Sequence, residues 1–256
     1  MTALAGVLGF PVGHSGSPAM MNAAFAELGL DWRYVRLPLP PGLFDETVRA
    51  LPASGFLGAN VTIPHKVAAH GLADELTDSA AAIGAVNTLA FAEGRIVGDN
   101  TDAGGLVDAL DIDLQGVSAL VLGAGGTGRA AVWALREAGA EVAVWNRTAA
   151  RAADLAAEFG VRHASAPEQA QVLVNVTSIG MHGEDLAAQV GLDDVKPELV
   201  ADVVYASGTT PLCRWAEQRG ARVVEGLEML LRQGARSFER WTGQPAPLAV
   251  MRRALH

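Results

Sequence analysis

One cysteine stands in 256 residues, and only two lysines accompany 17 arginines. Cys213 has no partner in the chain, so no internal disulfide forms, which fits a reducing, cytoplasmic address. A small buried apolar role suits it best. Positive charge is scarce. The formal charge is −9 at pH 7, with no Lys/Arg cluster and no run of like charge. Nucleic acid and anionic membranes require a basic patch, so neither is expected as a partner. No apolar run reaches the roughly 18 residues of a membrane span, and no basic segment precedes an apolar stretch as in a secretory signal. The histidines, His14, His65, His70, His163, His182 and His256, show neither H-x-x-x-H nor H-E-x-x-H spacing. With a lone thiol besides, no metal site is expected. The G-x-S-x-G elbow and the G-x-x-x-x-G-K-[ST] loop are absent too, which disfavours nucleophilic hydrolysis and P-loop chemistry.

What the chain does have is apolar material and glycine. It is 50% hydrophobic and 18% charged, with 29 glycines, enough for one or two domains with a sizeable core. Its organising stretch runs from Val117 to Ala131. Six mostly apolar residues lead into Gly123-Ala124-Gly125-Gly126-Thr127-Gly128, and an Ala-rich amphipathic segment follows. Strand, glycine turn, helix is the order a dinucleotide needs. Gly123 permits the turn, Gly125 lets backbone approach a pyrophosphate, and Gly128 lets helix lie close to strand. The helix N-terminus then faces the anion. The next strand, Glu141 to Trp145, ends in Asn146-Arg147-Thr148, with Arg151 one helical turn on. An NAD site usually carries Asp or Glu here for the ribose 2′-hydroxyl. None is present, and a planar guanidinium suits a 2′-phosphate. The pattern therefore favours NADP over the plainer reading of a solvated loop arginine.

In chain order, strands are expected at 4–10, 31–39, 56–62, 86–91 and 95–97, the last two joined at Glu93-Gly94. Helices are expected after Ser17, at 43–51, from Pro64, at 74–83 and at 101–111. In the first of these Ser17 stands at the N-cap and Pro18 at N1. The alternation resumes with strands at 117–122, 141–145, 172–176, 199–204 and 221–224, and helices at 127–138, 149–159 and 211–219. That is a doubly wound parallel sheet with ligands at the carboxyl ends of its strands. Helices from Gly226 and from about Pro247 to Leu255 close the chain.

Four short stretches carry polar groups suited to chemistry. Ser15-Gly16-Ser17-Pro18 places two hydroxyls at a helix start, either as plain capping or as an anion cradle. Asn60-Val61-Thr62-Ile63-Pro64-His65-Lys66 puts Asn60, Thr62 and Lys66 where a strand meets a helix. Lys66 is the only lysine before residue 196. A lysine kept among arginines hints at proton transfer, because arginine does not deprotonate. Gly84-Ala85-Val86-Asn87-Thr88 and Gly98-Asp99-Asn100-Thr101-Asp102 are the other two. Asp99 and Asp102 also read as carboxylates of a cap or a first turn.

Taken in order, these stretches resemble the shikimate dehydrogenase family over essentially the whole chain. Asn175-x-Thr177-Ser178-x-Gly180-Met181, Tyr205 before Thr210-Pro211-Leu212, and Gly226-Leu227-x-Met229-Leu230-x-x-Gln233 complete the series. The resemblance implies two domains. One is an N-terminal α/β substrate domain of residues 1–100, to which the helices of 227–256 return. The other is a Rossmann-like NADP-binding domain of residues 101–226. It implies reduction of 3-dehydroshikimate to shikimate in aromatic amino-acid biosynthesis, with Lys66 as acid/base beside Asp102. Ser15 and Ser17 would hold the substrate carboxylate. Thr62, Asn87, Asp102 and Gln233 would bond ring hydroxyls, and Tyr205 would close over the substrate. The cofactor site would take in Gly123, Ala124, Gly125, Gly126, Gly128, Asn146, Arg147, Thr148, Arg151, Thr177, Ser178, Met181 and Gly226. The chain departs from the family pattern at Ala103, where Gly is common, and at Ser207, where Pro is common. Relatives acting on quinate or an amino-substituted shikimate, with NADP or NAD, are the nearest alternative. A non-catalytic NADP sensor on the same fold would predict loss of Lys66 or Asp102. A monomer and a homodimer are both compatible with the sequence.

Overall fold

A computed structural model of the chain describes residues 2–205 and 208–256. The chain divides into two compact units. The first extends to Gly105 and takes in Leu230–His256, and the second is Leu106–Met229. The divisions fall inside two helices, a few residues beyond the expected 100/101 and 226/227.

In the first unit β1 (Ala3–Gly9) leads through α1 (Ser17–Glu27) to β2 (Trp32–Pro38), then α2 (Phe44–Ala50) and β3 (Phe56–Val61). After α3 (Lys66–Leu72) come a two-residue β4 (Glu75–Leu76), α4 (Asp78–Ile83), the hairpin β5 (Thr88–Ala92) and β6 (Arg95–Asp99), and α5 (Thr101–Leu110). The sheet order is β2-β1-β3-β5-β6-β4. β1 is parallel to both neighbours, while β5 runs antiparallel to β3 and β6. The hairpin turns on Glu93 (φ 52°) and Gly94 (φ 75°), the paired positive φ of a turn whose twist matches its strands. The core gathers Leu8, Ala59, Val61, Leu89 and Phe44.

Three local expectations are corrected. Helix α1 begins at Ser17 itself, with Gly16 at the N-cap and no side-chain cap. The Ser17 hydroxyl is engaged with Ser15 instead. Pro64 does not open a helix. The Ile63–Pro64 bond is cis, and α3 starts at Lys66. Residues 74–83 are not one helix either. Glu75 and Leu76 pair with β6, and Thr77 Oγ1 accepts from Ala80 N (3.3 Å) to start α4 afresh.

The second unit runs β7 (Ser118–Leu122), α6 (Gly126–Glu137), β8 (Glu141–Trp145), α7 (Ala149–Phe159), β9 (Arg162–His163) and β10 (Val172–Asn175). It continues with α8 (Leu186–Val190), β11 (Leu199–Asp202), α9 (Pro211–Gln218), β12 (Arg222–Val224) and the start of α10 (Gly226–Thr242). Sheet order is β12-β11-β10-β7-β8-β9, and every pairing is parallel. Alternate residues feed two cores. Ala119, Val121, Val172 and Val174 join one, and Leu120, Leu122 and Leu173 join the other. A sheet covered on both faces needs such continuous apolar strands. The short β9 and α8 were not foreseen, since neither has enough residues to show a period.

The last part of α10 and α11 (Leu248–Arg253) belong to the first unit, as the resemblance implied. Phe238 stacks on Phe25 with centroids 5.4 Å apart, both fully buried, each worth about 1.5–3 kcal/mol of hydrophobic transfer. Trp241 Nε1 donates to Leu89 O (2.9 Å). Among the described residues no helix is long and apolar enough to cross a membrane, and no group of three or more His, Cys, Asp or Glu is placed to hold a metal.

Candidate active site

Lys66 is the first residue of α3 and Asp102 the second of α5, and both are buried, at 9% and 5% exposure. Lys66 Nζ lies 2.5 Å from Asp102 Oδ2. The other carboxylate oxygen accepts from Asn87 Nδ2 at 2.9 Å. Each helix start is fixed locally. The Lys66 carbonyl accepts from Val86 N (2.9 Å). Asn100 caps α5 by accepting from Ala103 N (3.2 Å), while its own amide donates to Ala85 O (2.8 Å). Ala103, one of the two departures from the family pattern, is buried in this first turn and supplies that N–H.

Asn87 joins these elements. Its Oδ1 accepts from Thr101 N (2.7 Å). Its two Nδ2 hydrogens face Thr101 Oγ1 (2.9 Å), Asp102 Oδ1 (2.9 Å) and Gln233 Oε1 (3.3 Å). Two hydrogens for three acceptors leave the Gln233 contact the weakest. Gln233 arrives because α10 packs tightly on α5. A Cβ on Gly105 would sit 2.7 Å from the Gln233 backbone nitrogen.

Beneath lies a layer that sequence reasoning missed. The hydroxyls of Thr88, Thr101 and Ser237 lie 2.9–3.1 Å from one another. Asn60 Nδ2 donates to Ser237 Oγ (2.8 Å) and Thr88 Oγ1 (3.0 Å), and Tyr34 OH donates to Asn60 Oδ1 (2.7 Å). From the sequence Asn60 is marked only as a polar residue at a strand end. The i, i+4 spacing of Gln233 and Ser237 on α10 was the available signal for the latter. In a buried site such hydroxyls need partners, and here they supply one another.

Ser15 and Ser17 are also brought together. Ser15 Oγ lies 3.2 Å from Ser17 Oγ and accepts from Ser17 N at 3.3 Å, with both residues buried. Thr62 follows β3, half-buried, its N–H on Leu8 O (2.8 Å).

In the second unit the glycine turn does what its sequence requires. Gly123 has φ +123°, and a Cβ on Gly128 would lie 2.4 Å from Gly123 O. Gly125 caps α6 in an extended conformation with no side-chain bond, and nothing lies within 4 Å of where its Cβ would be. The helix thus starts without a side-chain cap, and its N-terminal end is of the kind that suits an anionic acceptor. Ala124 N donates to Asn146 Oδ1 (3.3 Å), and Asn146 Nδ2 to Thr148 O (3.0 Å). Arg147 and Arg151 are exposed, and neither guanidinium is hydrogen-bonded or ion-paired among the described residues. Arg129 contrasts with them, donating from Nη1 to Glu158 Oε2 (2.8 Å) and lying over the Phe159 ring.

The loop after β10 is held from below. Asn175 Oδ1 accepts from Thr177 N (3.0 Å) and Thr177 Oγ1 (2.7 Å), and Asn175 Nδ2 donates to Asp202 Oδ1 (2.8 Å). Asp202 also accepts from Val204 N (3.1 Å) and Thr210 Oγ1 (2.7 Å). Burial nonetheless pushes this carboxyl above its ordinary range. Met181 N donates to Ser178 O (3.2 Å). Glu184 accepts from His182 N and Gly180 N, and these backbone N–H groups hold its carboxyl below the usual range. Tyr205 is half-buried after β11. Ser207 lies outside the described residues. Gly226 opens α10 where a Cβ would meet Val204 O at 2.5 Å. Cys213 is buried, and burial pushes its thiol up to about 11, which suits the apolar role read from sequence.

A parallel sheet with an open glycine turn, in one chain with a buried ammonium–carboxylate pair, defines a class, the dinucleotide-linked dehydrogenases. Comparison with known proteins narrows it. Three family models match: the shikimate dehydrogenase substrate binding domain over residues 7–89, shikimate / quinate 5-dehydrogenase over 107–179, and the shikimate 5′-dehydrogenase C-terminal domain over 226–256. The shikimate dehydrogenase (NADP(+)) of Anaeromyxobacter dehalogenans is 45% identical, with 99% of this chain and 96% of that protein aligned. The crystal structure of Aquifex aeolicus shikimate dehydrogenase has a TM-score of 0.93 at 37% identity, covering 100% of this chain and 98% of that one. The Thermus thermophilus enzyme in complex with NADP(H) and shikimate gives 0.90 at 42%, covering 99% and 98%. The chain belongs to the shikimate dehydrogenase family.

Proposed function

We propose that this protein interconverts shikimate and 3-dehydroshikimate with NADP; a relative is named shikimate dehydrogenase (NADP(+)), and a structural neighbour was solved in complex with NADP(H) and shikimate. Lys66 is the acid/base and Asp102 its positioning partner. The 2.5 Å contact between Lys66 Nζ and Asp102 Oδ2 carries this reading. It is buried, and it lies on the two family stretches that also bring Asn87 and Gln233 within hydrogen-bond reach.

The second unit fits the cofactor. The start of α6, which has no side-chain cap, would face a pyrophosphate with the positive end of its dipole, and Arg147 and Arg151, without partners among the described residues, suit a 2′-phosphate. Gly123, Ala124, Gly125, Gly126 and Gly128 would line the turn. Asn146 and Thr148 would frame the ribose, with Thr177, Ser178, Met181 and Gly226 at the neighbouring strand ends. When bound, NADPH supplies the hydride.

The rest falls to the first unit. As the ketone carbon accepts hydride, negative charge grows on its oxygen. The Lys66 ammonium stabilises that charge and passes its proton to the oxygen, leaving a hydroxyl. In the opposite direction the Lys66 amine takes the hydroxyl proton while hydride leaves the same carbon. Asp102 holds Nζ in place, and Asn87 in turn fixes Asp102. Ser15 and Ser17 receive the substrate carboxylate, and Thr62, Asn87, Asp102 and Gln233 its ring hydroxyls. Tyr205, on the loop after β11, is assigned to the substrate by the family resemblance alone.

The test is Lys66→Ala. General acid–base catalysis contributes roughly 10²–10⁴-fold, so kcat falls by that factor while the KM for shikimate changes far less. A variant with near-parental kcat removes Lys66 from the chemistry.

A further inference from the structure

We propose that Arg36 is a specificity-determining residue of the substrate site, supplying the positive charge that answers the substrate carboxylate. This rests on the function proposed above. Arg36 stands near the carboxyl end of β2, opposite Val7 of β1. Two residues earlier on the same strand, Tyr34 reaches Asn60 with its hydroxyl. Strand alternation sends Arg36 from that same face. Its guanidinium is anchored on the serine pair: Nη2 and Nε donate to the Ser15 carbonyl at 2.6 and 3.1 Å. Those are its hydrogen bonds among the described residues, so three of the five N–H donors of a guanidinium stay available.

The charge balance of the site gives this placement its meaning. Lys66 and Asp102 cancel one another. Ser15 and Ser17 are neutral, and they already share one hydrogen bond between their hydroxyls. An anionic ligand received by these groups alone would bring an unanswered charge among buried residues, at a high desolvation cost. Arg36 is bonded directly to the residue that would receive the carboxylate. An arginine is the right cation for this position, because its rigid fork is oriented by the Ser15 carbonyl without using up its remaining donors. The side chain is itself exposed, so solvent screens the interaction and the effect on affinity is moderate. No step of the chemistry uses Arg36, so its influence belongs in binding rather than turnover.

The experiment compares the parent with Arg36→Gln and Arg36→Lys, using shikimate and its uncharged carboxamide. Steady-state rates give KM and kcat for shikimate, and calorimetric titration gives affinity for both compounds. Arg36→Gln is expected to weaken shikimate roughly fivefold to tenfold, the range of a partly screened charge pair, with kcat changed less than twofold. Its affinity for the carboxamide stays at the parental value, and Arg36→Lys recovers part of the loss. Equal weakening of acid and carboxamide would overturn the proposal, since Arg36 would then only shape the Ser15 loop. Unchanged shikimate affinity would overturn it as well. A parent enzyme that neither binds nor oxidises shikimate defeats the functional reading instead, and does so before any variant is compared.

Discussion

Replacing Arg147 by alanine separates the 2′-phosphate from the rest of the cofactor. The residue follows β8, next to Asn146, whose side chain is tied to both the glycine turn and the Thr148 carbonyl. Its own guanidinium is exposed and without a partner among the described residues. Nothing in the fold therefore depends on it, and stability should be unchanged. Hydrogen bonds to charged groups contribute about 1.5–3 kcal/mol. Exposure and solvent screening put Arg147 just below that range, at about 1.4 kcal/mol, which is roughly tenfold in affinity. The assay is kcat/KM with NADPH and with NADH, for parent and variant, at fixed ionic strength because salt screens exposed charge. NADPH should lose about tenfold, whereas NADH, lacking the phosphate, should be unaffected. Equal losses with both cofactors, or an intact NADPH value, would refute the assignment. Arg151→Ala, one turn further along α7, is the companion variant and should give a smaller loss of the same sign.

Asp202 gives a pH prediction. Burial raises its carboxyl above 3.8, so the stability carried by its protonated form is complete below that value and lost as pH rises through the folded one. Asp202→Asn does not ionise. Denaturant titrations at a series of pH values should show the stability difference moving in the variant's favour as pH rises above 3.8; a pH-independent difference would contradict this. Gly128→Ala places a methyl against the Gly123 carbonyl, a backbone atom that has no rotamer to escape into. Overpacking of this kind costs about 1–3 kcal/mol. Melting temperature and NADP+ affinity should both fall while calorimetric shikimate binding persists, and normal NADP+ affinity would argue against the turn as the pyrophosphate site.

The second unit was legible because its signals are local. Continuous apolar strands, a glycine turn and helices of 11 or 12 residues each show their period within one window. Even the absence of a carboxylate after Trp145 could be read directly. The first unit was less transparent. Its expected strand and helix alternation did not disclose that β5 runs antiparallel, because that depends on which strand pairs with β3 across about 30 residues. The segment 74–83 looked helical by composition, yet Thr77 caps a new helix and Glu75 pairs with Val97. The hydroxyl layer of Thr88, Thr101 and Ser237 was hidden for a similar reason. Its members are up to 149 residues apart, and serine and threonine carry no pattern of their own. Lys66 was visible as a rare residue among arginines, whereas Asp102, 36 residues away, was paired with it only through the family resemblance and not by any local pattern.

The most direct measurement is the initial rate of nicotinamide absorbance change with shikimate and with quinate, each with NADP+ and with NAD+. Fast turnover confined to shikimate with NADP+ is the expected result, and it would bear on the ring pocket and the Asn146-Arg147-Thr148 loop together. Comparable turnover with NAD+ would contradict the reading of that loop, and comparable turnover with quinate would contradict the proposed substrate. No turnover with any pair would contradict the proposed activity as a whole.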